Sequence, residues 1–512
     1  MLQKILAVAA LLQTTISFAA EHNRLSLEEK VGQLLLVHFS GETVSEEAKR
    51  FICEIKVGGI IYFSWANGLN SVEQVKNLSR DLQMLAQENT PSIPLWIAVD
   101  QEGGVVGSLK GEFTTFPGNK ALAETKDPGL SREVDLAIGK ELRFVGINMN
   151  FAPVVDVNVN PKNPTIGLRS FGKTAEEVIP FASEMIEGFH EAGICMTLKH
   201  FPGHGDVQVD SHDALPQVSK TRQELEQVEL LPFAKLSAVA DAVMTAHILV
   251  PALDPSNCAT FSSTIIRQLR QDIGFSGLVI SDSLIMKGAL AEGISVEEAA
   301  IKALNSGCDL LILGGKLFHS CELCELGFAD VQRVHAAIVQ AVKQGRLSEA
   351  RIDEAVERSL SKKKQYLNAF SLSDSIEWDK HKSLAQTIAN KALQPMIRNP
   401  VLLHGKKIVF FAPNLLQKDL QEILTSQKMH FCSLNPSSAE REECRVLASE
   451  ADVVFICSYN AWKNPSQVLW IQSLIQVGKP VVLWVARDPL DAELFPKVDD
   501  REKAFRYCFF FR

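Results

Sequence analysis

Eight short apolar runs, several of them separated by stretches with helical spacing, dominate the first 314 residues. Runs that are apolar throughout, rather than at alternate positions, are typical of strands in a parallel sheet covered on both faces. Eight of them, alternating with helices, predict an eight-stranded parallel β/α (TIM) barrel. The runs are 31–39, 59–64, 95–100, 148–155, 196–201, 242–249, 277–282 and 309–314, and the helical stretches between them include 72–87, 132–145, 174–192, 222–239 and 296–305.

A second, smaller domain is predicted after the barrel. Helical patterns at 329–343 and 348–367 are followed by a polar stretch, and further strand-like runs begin near residue 407. No glycine-rich phosphate loop occurs there, so nothing favours nucleotide binding. The predicted organisation is a barrel domain at 25–367, a linker at 368–398 and an α/β sandwich domain at 399–512, with strands at 407–412, 429–433, 452–458 and 481–485 and a helix at 436–450.

Composition narrows the class of protein. Hydrophobic residues make up 46% of the 512 residues, which excludes a disordered or fibrous chain. Acidic residues outnumber basic ones by 61 to 52, giving a net charge of −9. A protein that neutralises phosphates would carry the opposite sign, so a nucleic acid partner is not expected.

The first nineteen residues are typical of a signal peptide. Lys4 precedes the apolar run 5–12, and Ser17-Phe18-Ala19 forms a small-x-small cleavage site. A buried first helix is the alternative. No later run reaches the roughly 20 apolar residues of a membrane span, so we expect export to the periplasm or cell surface without stable membrane insertion.

The cysteines give a weaker signal. Cys308 and Cys457 lie in apolar runs and are predicted to be buried free thiols. Cys321 and Cys324 form a C-x-x-C pair without a second pair to complete a zinc site. An incidental pair is the favoured interpretation, with a redox or metal role as the alternative.

Ionisable residues follow several of the apolar runs directly. They are Asp100-Gln101-Glu102, Asp156, Lys199-His200, His247 and Ser281-Asp282-Ser283. In a β/α barrel the catalytic residues come from the carboxyl ends of the strands and the loops after them. These positions therefore predict an active site at that face.

The densest group of candidate residues is Lys199 to Asp206, followed by Asp210-Ser211-His212. One hypothesis is a metal site, since His200 and His204 have the spacing of a helical zinc motif, but the proline and glycines among them disfavour a helix. The other is an acid/base pair, in which Asp210 orients the His212 ring and stabilises its protonated form. The second interpretation is favoured, and a metallohydrolase remains an alternative.

Asp282 is the candidate nucleophile. It ends a buried strand, where an unpaired carboxylate is costly unless it has a task. The alternative is a salt bridge from Asp282 to Arg169 or Lys199. Ser281 or Ser283 is a weaker candidate because neither lies in a Gly-x-Ser-x-Gly elbow.

At this point the sequence resembles the β-N-acetylglucosaminidases of glycoside hydrolase family 3. The resemblance is carried by the specific motif at 199–205 with 210–212, and it extends over roughly residues 25 to 370. The other matching segments are 100–104, 150–157, 169–172, 244–247 and 281–286.

The resemblance implies a retaining hydrolase that forms a covalent glycosyl-enzyme without a metal or organic cofactor. Asp282 matches the family's nucleophile, and His212 matches its general acid/base with Asp210 as partner. The positions that hold the hydroxyl groups of the terminal sugar are matched by Asp100, Arg169, Lys199 and His200.

One departure from the family pattern concerns sugar binding. Val105 and Ser108 stand where relatives usually have arginines, and Lys110 is not an equivalent substitute. The expected activity is hydrolysis of terminal N-acetylglucosamine from peptidoglycan-derived saccharides. The alternatives are a β-glucosidase or glycoside phosphorylase of the same family, and a non-catalytic glycan-binding relative, which the two missing arginines motivate.

Overall fold

The computed structural model describes residues 25–89, 93–316, 325–367, 375–392, 394–396, 405–423, 429–495, 498 and 505–508. These residues divide into two compact units on either side of the Ala385–Gln386 bond. Each unit contains its own large sheet, built mainly from parallel strands.

The first unit is the predicted barrel. Eight parallel strands have the spatial order β7-β6-β5-β4-β3-β2-β1-β8, and a parallel bridge between Ile280 and Leu310 joins the two end strands. All eight predicted runs therefore contain a strand, and the barrel prediction is confirmed. The strands are β1 (Leu35–Val37), β2 (Gly59–Tyr62), β3 (Trp96–Val99), β4 (Met149–Asn150), β5 (Cys195–Phe201), β6 (Ala242–Thr245), β7 (Leu278–Ser281) and β8 (Leu311–Ile312).

Helices follow the strands, and several begin at side-chain caps. Thr174 accepts a hydrogen bond from the Glu177 amide, and Ser295 accepts one from the Glu298 amide, satisfying backbone donors that lack a partner within the helix. The longer helices of this unit are Val72–Asn89, Gly129–Phe144, Ala175–Ala192, Val296–Ser306, Phe328–Lys343 and Glu349–Leu367, and the shorter ones include Leu27–Gly32, Glu46–Arg50, Ser64–Asn67, Asn119–Glu124 and Ser263–Arg267. The helix Trp378–Ala392 contains the Ala385–Gln386 bond at which the two units divide.

The single helix predicted at 222–239 is wrong. The structure has two short helices there, Arg222–Gln227 and Leu231–Leu236, and Pro232 lies in the first turn of the second. Proline has no amide hydrogen and is favoured in the first turn of a helix, so Pro232 favours the start of a new helix over a continuous one.

The stretch predicted as a linker contains regular structure. The helix Trp378–Ala392 and the strand Gln394–Met396 lie within 368–398. The Trp378 ring packs edge-on against Phe113 at 6.0 Å, and His381 Nδ1 lies 2.7 Å from Glu141 Oε1.

A buried ionic cluster closes the barrel beside β8. The Asp309 carboxylate is fully buried, and it contacts Arg270 at 2.6 Å, Arg351 at 2.7 Å and Arg358 at 3.0 Å. Two of these arginines belong to the helix Glu349–Leu367. The cluster therefore ties the last barrel helix to the last strand.

The barrel interior is apolar and holds side chains from all eight strands or the residues next to them. Its members are Leu36, Ile61, Trp96, Ala98, Met149, Phe151, Cys195, Ala242, Met244, Leu278, Ile280, Leu310, Ile312, Tyr366 and Leu367. The barrel is therefore a packed core, and its free space lies at the ends of the strands.

The second unit is a six-stranded sheet with its own core. The spatial order is β9-β14-β13-β12-β10-β11, parallel except for the antiparallel pair β9-β14. The predicted α/β fold is confirmed. The strands are β9 (Gln394–Met396), β10 (Ile408–Pro413), β11 (Met429–Cys432), β12 (Val453–Ser458), β13 (Val481–Val485) and β14 (Phe505–Cys508), and the main helices are Gln417–Ile423, Ser438–Ser449 and Pro465–Ile475.

Two further predictions can be compared with the structure. Cys308 and Cys457 are buried free thiols, as predicted, whereas Cys321 and Cys324 lie outside the described residues. Among the helices described, none has both the length and the apolar character required to cross a bilayer.

Candidate active site

A cavity of ≈ 460 Å³ contains side chains that follow the carboxyl ends of several barrel strands. Asp100 follows β3, Lys199 and His200 belong to β5, and Asp282 follows β7. Because parallel strands end at the same face of the barrel, these residues meet although they are far apart in sequence. Six of the seven predicted site residues line the cavity: Asp100, Arg169, Lys199, His200, His212 and Asp282. The seventh, Asp210, contacts His212.

Glu102 is buried and forms ion pairs with two cationic side chains that line the cavity. Its carboxylate accepts hydrogen bonds from Arg169 Nη2 at 2.8 Å and Nε at 2.9 Å, and it lies 2.6 Å from Lys199 Nζ. Lys199 Nζ also donates to Asp100 Oδ1 at 2.7 Å. In the described part of the chain, Arg169 and Lys199 form their ion pairs with these two carboxylates and not with Asp282, so the salt-bridge alternative for Asp282 is not supported.

The pKa values of this network favour the charged forms. Burial alone would raise the pKa of Glu102, but Arg169 and Lys199 lower it to about 2. Burial alone would lower the pKa of Lys199, but Asp100 and Glu102 raise it above its usual value. The network therefore presents fixed charges to a ligand in the cavity.

Asp156 positions His200. The Asp156 carboxylate is 1% exposed, lies 2.6 Å from His200 Nδ1 and accepts backbone hydrogen bonds from His200 and His204. His200 Nδ1 is therefore occupied, and Nε2 lies 3.4 Å from Arg169 Nη2. The imidazole ring is therefore oriented with Nδ1 toward Asp156 and Nε2 toward the residues that line the cavity.

His204 links two segments of the site and is held neutral. Its Nε2 lies 3.2 Å from Ser211 Oγ, the residue before His212. Burial and the neighbouring His200 lower its pKa to about 4. Within the ranges that the structure describes, no three His, Cys, Asp or Glu side chains are grouped so that they could hold a metal ion. The geometry of these residues thus gives no support to the metallohydrolase alternative.

Asp210 and His212 form the predicted pair. Asp210 Oδ1 lies 2.7 Å from His212 Nδ1 and also accepts the His212 amide hydrogen at 2.9 Å. Partial burial alone would lower the pKa of His212, but the Asp210 carboxylate raises it above its usual value. With Nδ1–H donating to Asp210, Nε2 is the nitrogen that can exchange a proton.

Asp282 is held at the end of β7 with an ionised side chain. Its Oδ1 accepts a hydrogen bond from the Ser283 amide at 2.7 Å. Enclosure alone would raise the pKa of Asp282, but the surrounding His247, His200 and His212 rings lower it. A carboxylate with a depressed pKa is available as a nucleophile over a wide pH range.

The serine alternatives are engaged elsewhere. Ser281 is fully buried, and its Oγ accepts the Ile312 amide hydrogen at 3.1 Å. Ser283 Oγ donates to the Gly314 carbonyl at 2.5 Å. These contacts favour Asp282 over either serine.

An aromatic rim borders the cavity. The Phe63 and Trp65 rings stack with centroids 5.1 Å apart, and Lys316 Nζ lies 4.1 Å from the Trp65 ring centroid. All three line the cavity, and Trp65 is 37% exposed. Sequence reasoning did not single out this rim.

Val105 and Ser108 both line the cavity at the positions where the family resemblance predicts arginines. Ser108 Oγ donates to the Asp100 backbone carbonyl at 2.9 Å. Lys110 is exposed and is not among the residues that line the cavity, so it does not replace the missing arginines there.

Comparison with known proteins assigns the chain to a protein family. Residues 26–361 match the family described as Glycosyl hydrolase family 3 N terminal domain. The chain therefore belongs to glycosyl hydrolase family 3 and is a glycoside hydrolase.

Individual relatives have names that specify a sugar. The chain is 35% identical to Beta-hexosaminidase A of Pseudoalteromonas piscicida over 337 residues, 62% of this chain and 54% of that protein. It is 36% identical to a Beta-hexosaminidase of Idiomarina loihiensis over 284 residues, 54% of this chain and 83% of that protein. A solved family 3 β-N-acetylglucosaminidase of Paenibacillus sp. str. FPU-7 is 35% identical, with a TM-score of 0.84 over 95% of this chain and 94% of that one.

Sequence reasoning located the lining residues but missed several of their partners. Glu102 and Asp156 were noted as residues near strand ends, yet their roles as the buried partners of Arg169 and His200 were not predicted. The burial of Glu102 and Asp156 beside cationic side chains identifies these partners, and burial cannot be determined from the sequence. The catalytic roles of Asp282, His212 and Asp210 remain predictions.

Proposed function

We propose that the chain is a retaining exo-β-N-acetylglucosaminidase that releases terminal N-acetylglucosamine through a covalent bond to Asp282. The observation that carries the proposal is that Asp282 and the His212 of the Asp210–His212 pair line one cavity. A nucleophilic carboxylate and a proton donor at one sugar-sized site are what a retaining glycosidase requires. The names of the relatives support N-acetylglucosamine as the sugar.

In the first step an Asp282 oxygen attacks the anomeric carbon. His212 Nε2–H protonates the glycosidic oxygen, the bond between that oxygen and the anomeric carbon breaks, and the aglycone leaves as an alcohol. The negative charge of Asp210 stabilises His212 while it is protonated. The product of this step is a glycosyl ester on Asp282 and a neutral His212.

In the second step His212 acts as a base. Its Nε2 takes a proton from a water molecule, the water oxygen attacks the anomeric carbon, and the ester bond to Asp282 breaks. The sugar leaves with its original anomeric configuration because the carbon has been inverted twice. His212 is protonated again and the enzyme is ready for another substrate.

The charged network is proposed to hold the terminal sugar. Asp100, Arg169 and the buried Lys199 and His200 can accept and donate hydrogen bonds to its hydroxyl groups. Ion pairs and buried partners fix these side chains before substrate binds, so less conformational entropy is lost on binding.

Trapping the covalent intermediate tests the assignment of the nucleophile. A 5-fluoro N-acetylglucosaminide should label the enzyme, and the label should lie on Asp282 in the tryptic peptide 271–287. Asp282→Asn should be neither labelled nor active. Turnover at the wild-type rate in Asp282→Asn, or a label on another residue, would contradict the proposal.

The alternatives within the family differ in sugar and acceptor. Nitrophenyl N-acetylglucosaminide and nitrophenyl glucoside should be compared with and without phosphate. Faster cleavage of the glucoside would favour a β-glucosidase, and a sugar phosphate product would favour a phosphorylase. No turnover of either substrate would favour the glycan-binding relative that Val105 and Ser108 suggest.

We further propose export and a cell-wall substrate. The support is Lys4, the apolar run 5–12 and the cleavage site ending at Ala19, all outside the described residues. Expression of the full chain followed by cell fractionation and N-terminal sequencing should give an exported protein that begins at Ala20. Release of N-acetylglucosamine from purified peptidoglycan fragments tests the substrate separately.

A further inference from the structure

Two buried cysteines of the second unit contribute to one apolar core. Cys432 ends β11, and Cys444 lies in the helix Ser438–Ser449. We propose that Cys432 and Cys444 are a redox site, at which a small disulfide oxidant converts two thiols into an intramolecular disulfide. This proposal does not depend on the proposed glycosidase activity.

The register between the strand end and the helix brings these residues together. The amide of Ser433, next to Cys432, donates to Glu440 Oε1 at 3.1 Å, and Ser433 Oγ lies 3.4 Å from Glu440 Oε2. Glu440 precedes Cys444 by four residues, which is one helical turn, so the two side chains lie on the same helix face. The face of the helix that contacts the strand end therefore presents Cys444 toward Cys432.

The start of the helix is fixed, which limits movement of this face. Ser437 accepts the Glu440 amide hydrogen at 3.2 Å, and Glu440 Oε2 accepts the Ser437 amide hydrogen at 2.8 Å. This reciprocal capping box holds the first turn. Cys444 is in the next turn, so its position relative to β11 is defined.

The two thiols are nearly buried and interact with each other. Cys432 is 5% exposed and Cys444 is 6% exposed, and both belong to the same core cluster. Their interaction raises the pKa of Cys432 above its usual value and lowers that of Cys444. By contrast, burial raises the pKa of Cys457, another buried thiol of this unit.

Oxidised glutathione can oxidise the two cysteines by thiol–disulfide exchange. The Cys444 thiolate attacks one glutathione sulfur, forms a mixed disulfide and releases one glutathione thiolate. The Cys432 thiol then loses its proton, attacks the Cys444 sulfur and releases the second glutathione. Two protein thiols and one oxidised glutathione thus become one protein disulfide and two reduced glutathione molecules.

Peptide mapping of the full chain tests the proposal. Reduced protein is treated with oxidised glutathione, free thiols are alkylated and the protein is digested with trypsin. The expected product is a disulfide-linked pair of the peptides 429–441 and 442–445, which carry one cysteine each. Alkylation of both cysteines after this treatment, and also after refolding in a glutathione redox buffer, would overturn the proposal, as would a disulfide from either one to a different cysteine.

Two variants sharpen the test. Cys444→Ser should remove the linked peptide pair, whereas Cys457→Ser, a substitution of another buried thiol in the same unit, should keep it. Because a disulfide between Cys432 and Cys444 reduces the conformational entropy of the unfolded chain, oxidised wild type should also melt about 4 °C or more above the reduced protein. An equal melting shift in oxidised Cys444→Ser would assign the shift to another cysteine and contradict the proposal.

Discussion

Individual side chains of the candidate site are held in charged pairs. Each pair fixes either the pKa or the position of a functional group. Asp210 raises the pKa of His212, and Glu102 fixes Arg169 and Lys199. The cost of removing a charge from water is offset only while both partners are present. Single substitutions that remove one partner should therefore have large effects.

Asp210→Asn should move the alkaline limb of the pH–rate profile. The neutral amide no longer favours the protonated ring, so the pKa of His212 falls and the acid form is lost at a lower pH. We expect the alkaline limb of kcat/KM to shift downward and kcat on a natural disaccharide to fall roughly 10²-fold. A pH–rate profile on chitobiose measures both effects, and the exposed neighbour Asp213→Asn serves as the control. An unchanged alkaline limb in Asp210→Asn would rule out the assigned role.

Glu102→Gln should weaken both folding and substrate binding. It leaves two cations that are 13% and 2% exposed with less compensation, so the free energy of unfolding should fall by about 3 kcal/mol and KM should rise. Urea unfolding measures the first and kinetics the second.

The pH dependence of that stabilisation has a definite sign. Because the pKa of Glu102 is lowered to about 2, its contribution is complete above its unfolded value of 4.5 and is lost as the pH falls toward 2. The exposed Glu133→Gln is the matched control and should leave stability and KM unchanged. Wild-type stability in Glu102→Gln would show that the network does not depend on this carboxylate.

At the scale of elements, short segments after the strands shape the cavity mouth. The helix Ser64–Asn67 follows β2 and carries Trp65, and Lys316 lies shortly after β8. Trp65 and Lys316 come from the beginning and the end of the barrel sequence. They can meet because β2, β1 and β8 are successive neighbours in the closed barrel. Because Trp65 is 37% exposed at this mouth, we expect its ring to contact the aglycone side of a bound saccharide.

Trp65→Ala should weaken binding of substrates whose aglycone is a sugar. Loss of the ring's apolar face should raise KM for chitobiose by roughly tenfold with little change in kcat. Trp65→Phe keeps an aromatic face and should recover most of the affinity. Identical KM values for wild type and Trp65→Ala would show that the aglycone does not contact this ring.

At the scale of the whole molecule, the two large sheets of the described chain have separate apolar cores, and the candidate site lies in the barrel. His200 and His204, the residues of the metal hypothesis, have ring nitrogens that contact Asp156 and Ser211. One nitrogen of each ring is therefore engaged by a protein side chain.

Activity should survive removal of divalent cations. After dialysis against EDTA we expect kcat and KM for nitrophenyl N-acetylglucosaminide to remain within about twofold of their starting values, because the proposed steps use a carboxylate, an imidazole and water. Added zinc should give no increase. Loss of activity in EDTA that zinc restores would instead favour the metallohydrolase alternative.

Much of the barrel could be predicted because its strands are buried on both faces. A strand of this kind consists of consecutive apolar residues, so each of the eight was visible as a local run. The residues that follow those runs also identified the cavity lining. The helix at 222–239 could not be predicted correctly, since apolar spacing continues through the break and only the position of Pro232 in a first turn marks it.

The sequence by itself determined the strands, the residues at their ends and the Asp210–His212 pair, because all of these depend on neighbours within a few positions. Only the tertiary structure decided that Glu102, rather than Asp282, pairs with Arg169 and Lys199, and that Trp65 meets Lys316. These partners come from segments far apart in the sequence, and their distances depend on how the barrel closes. Local sequence patterns carry no information about such distances.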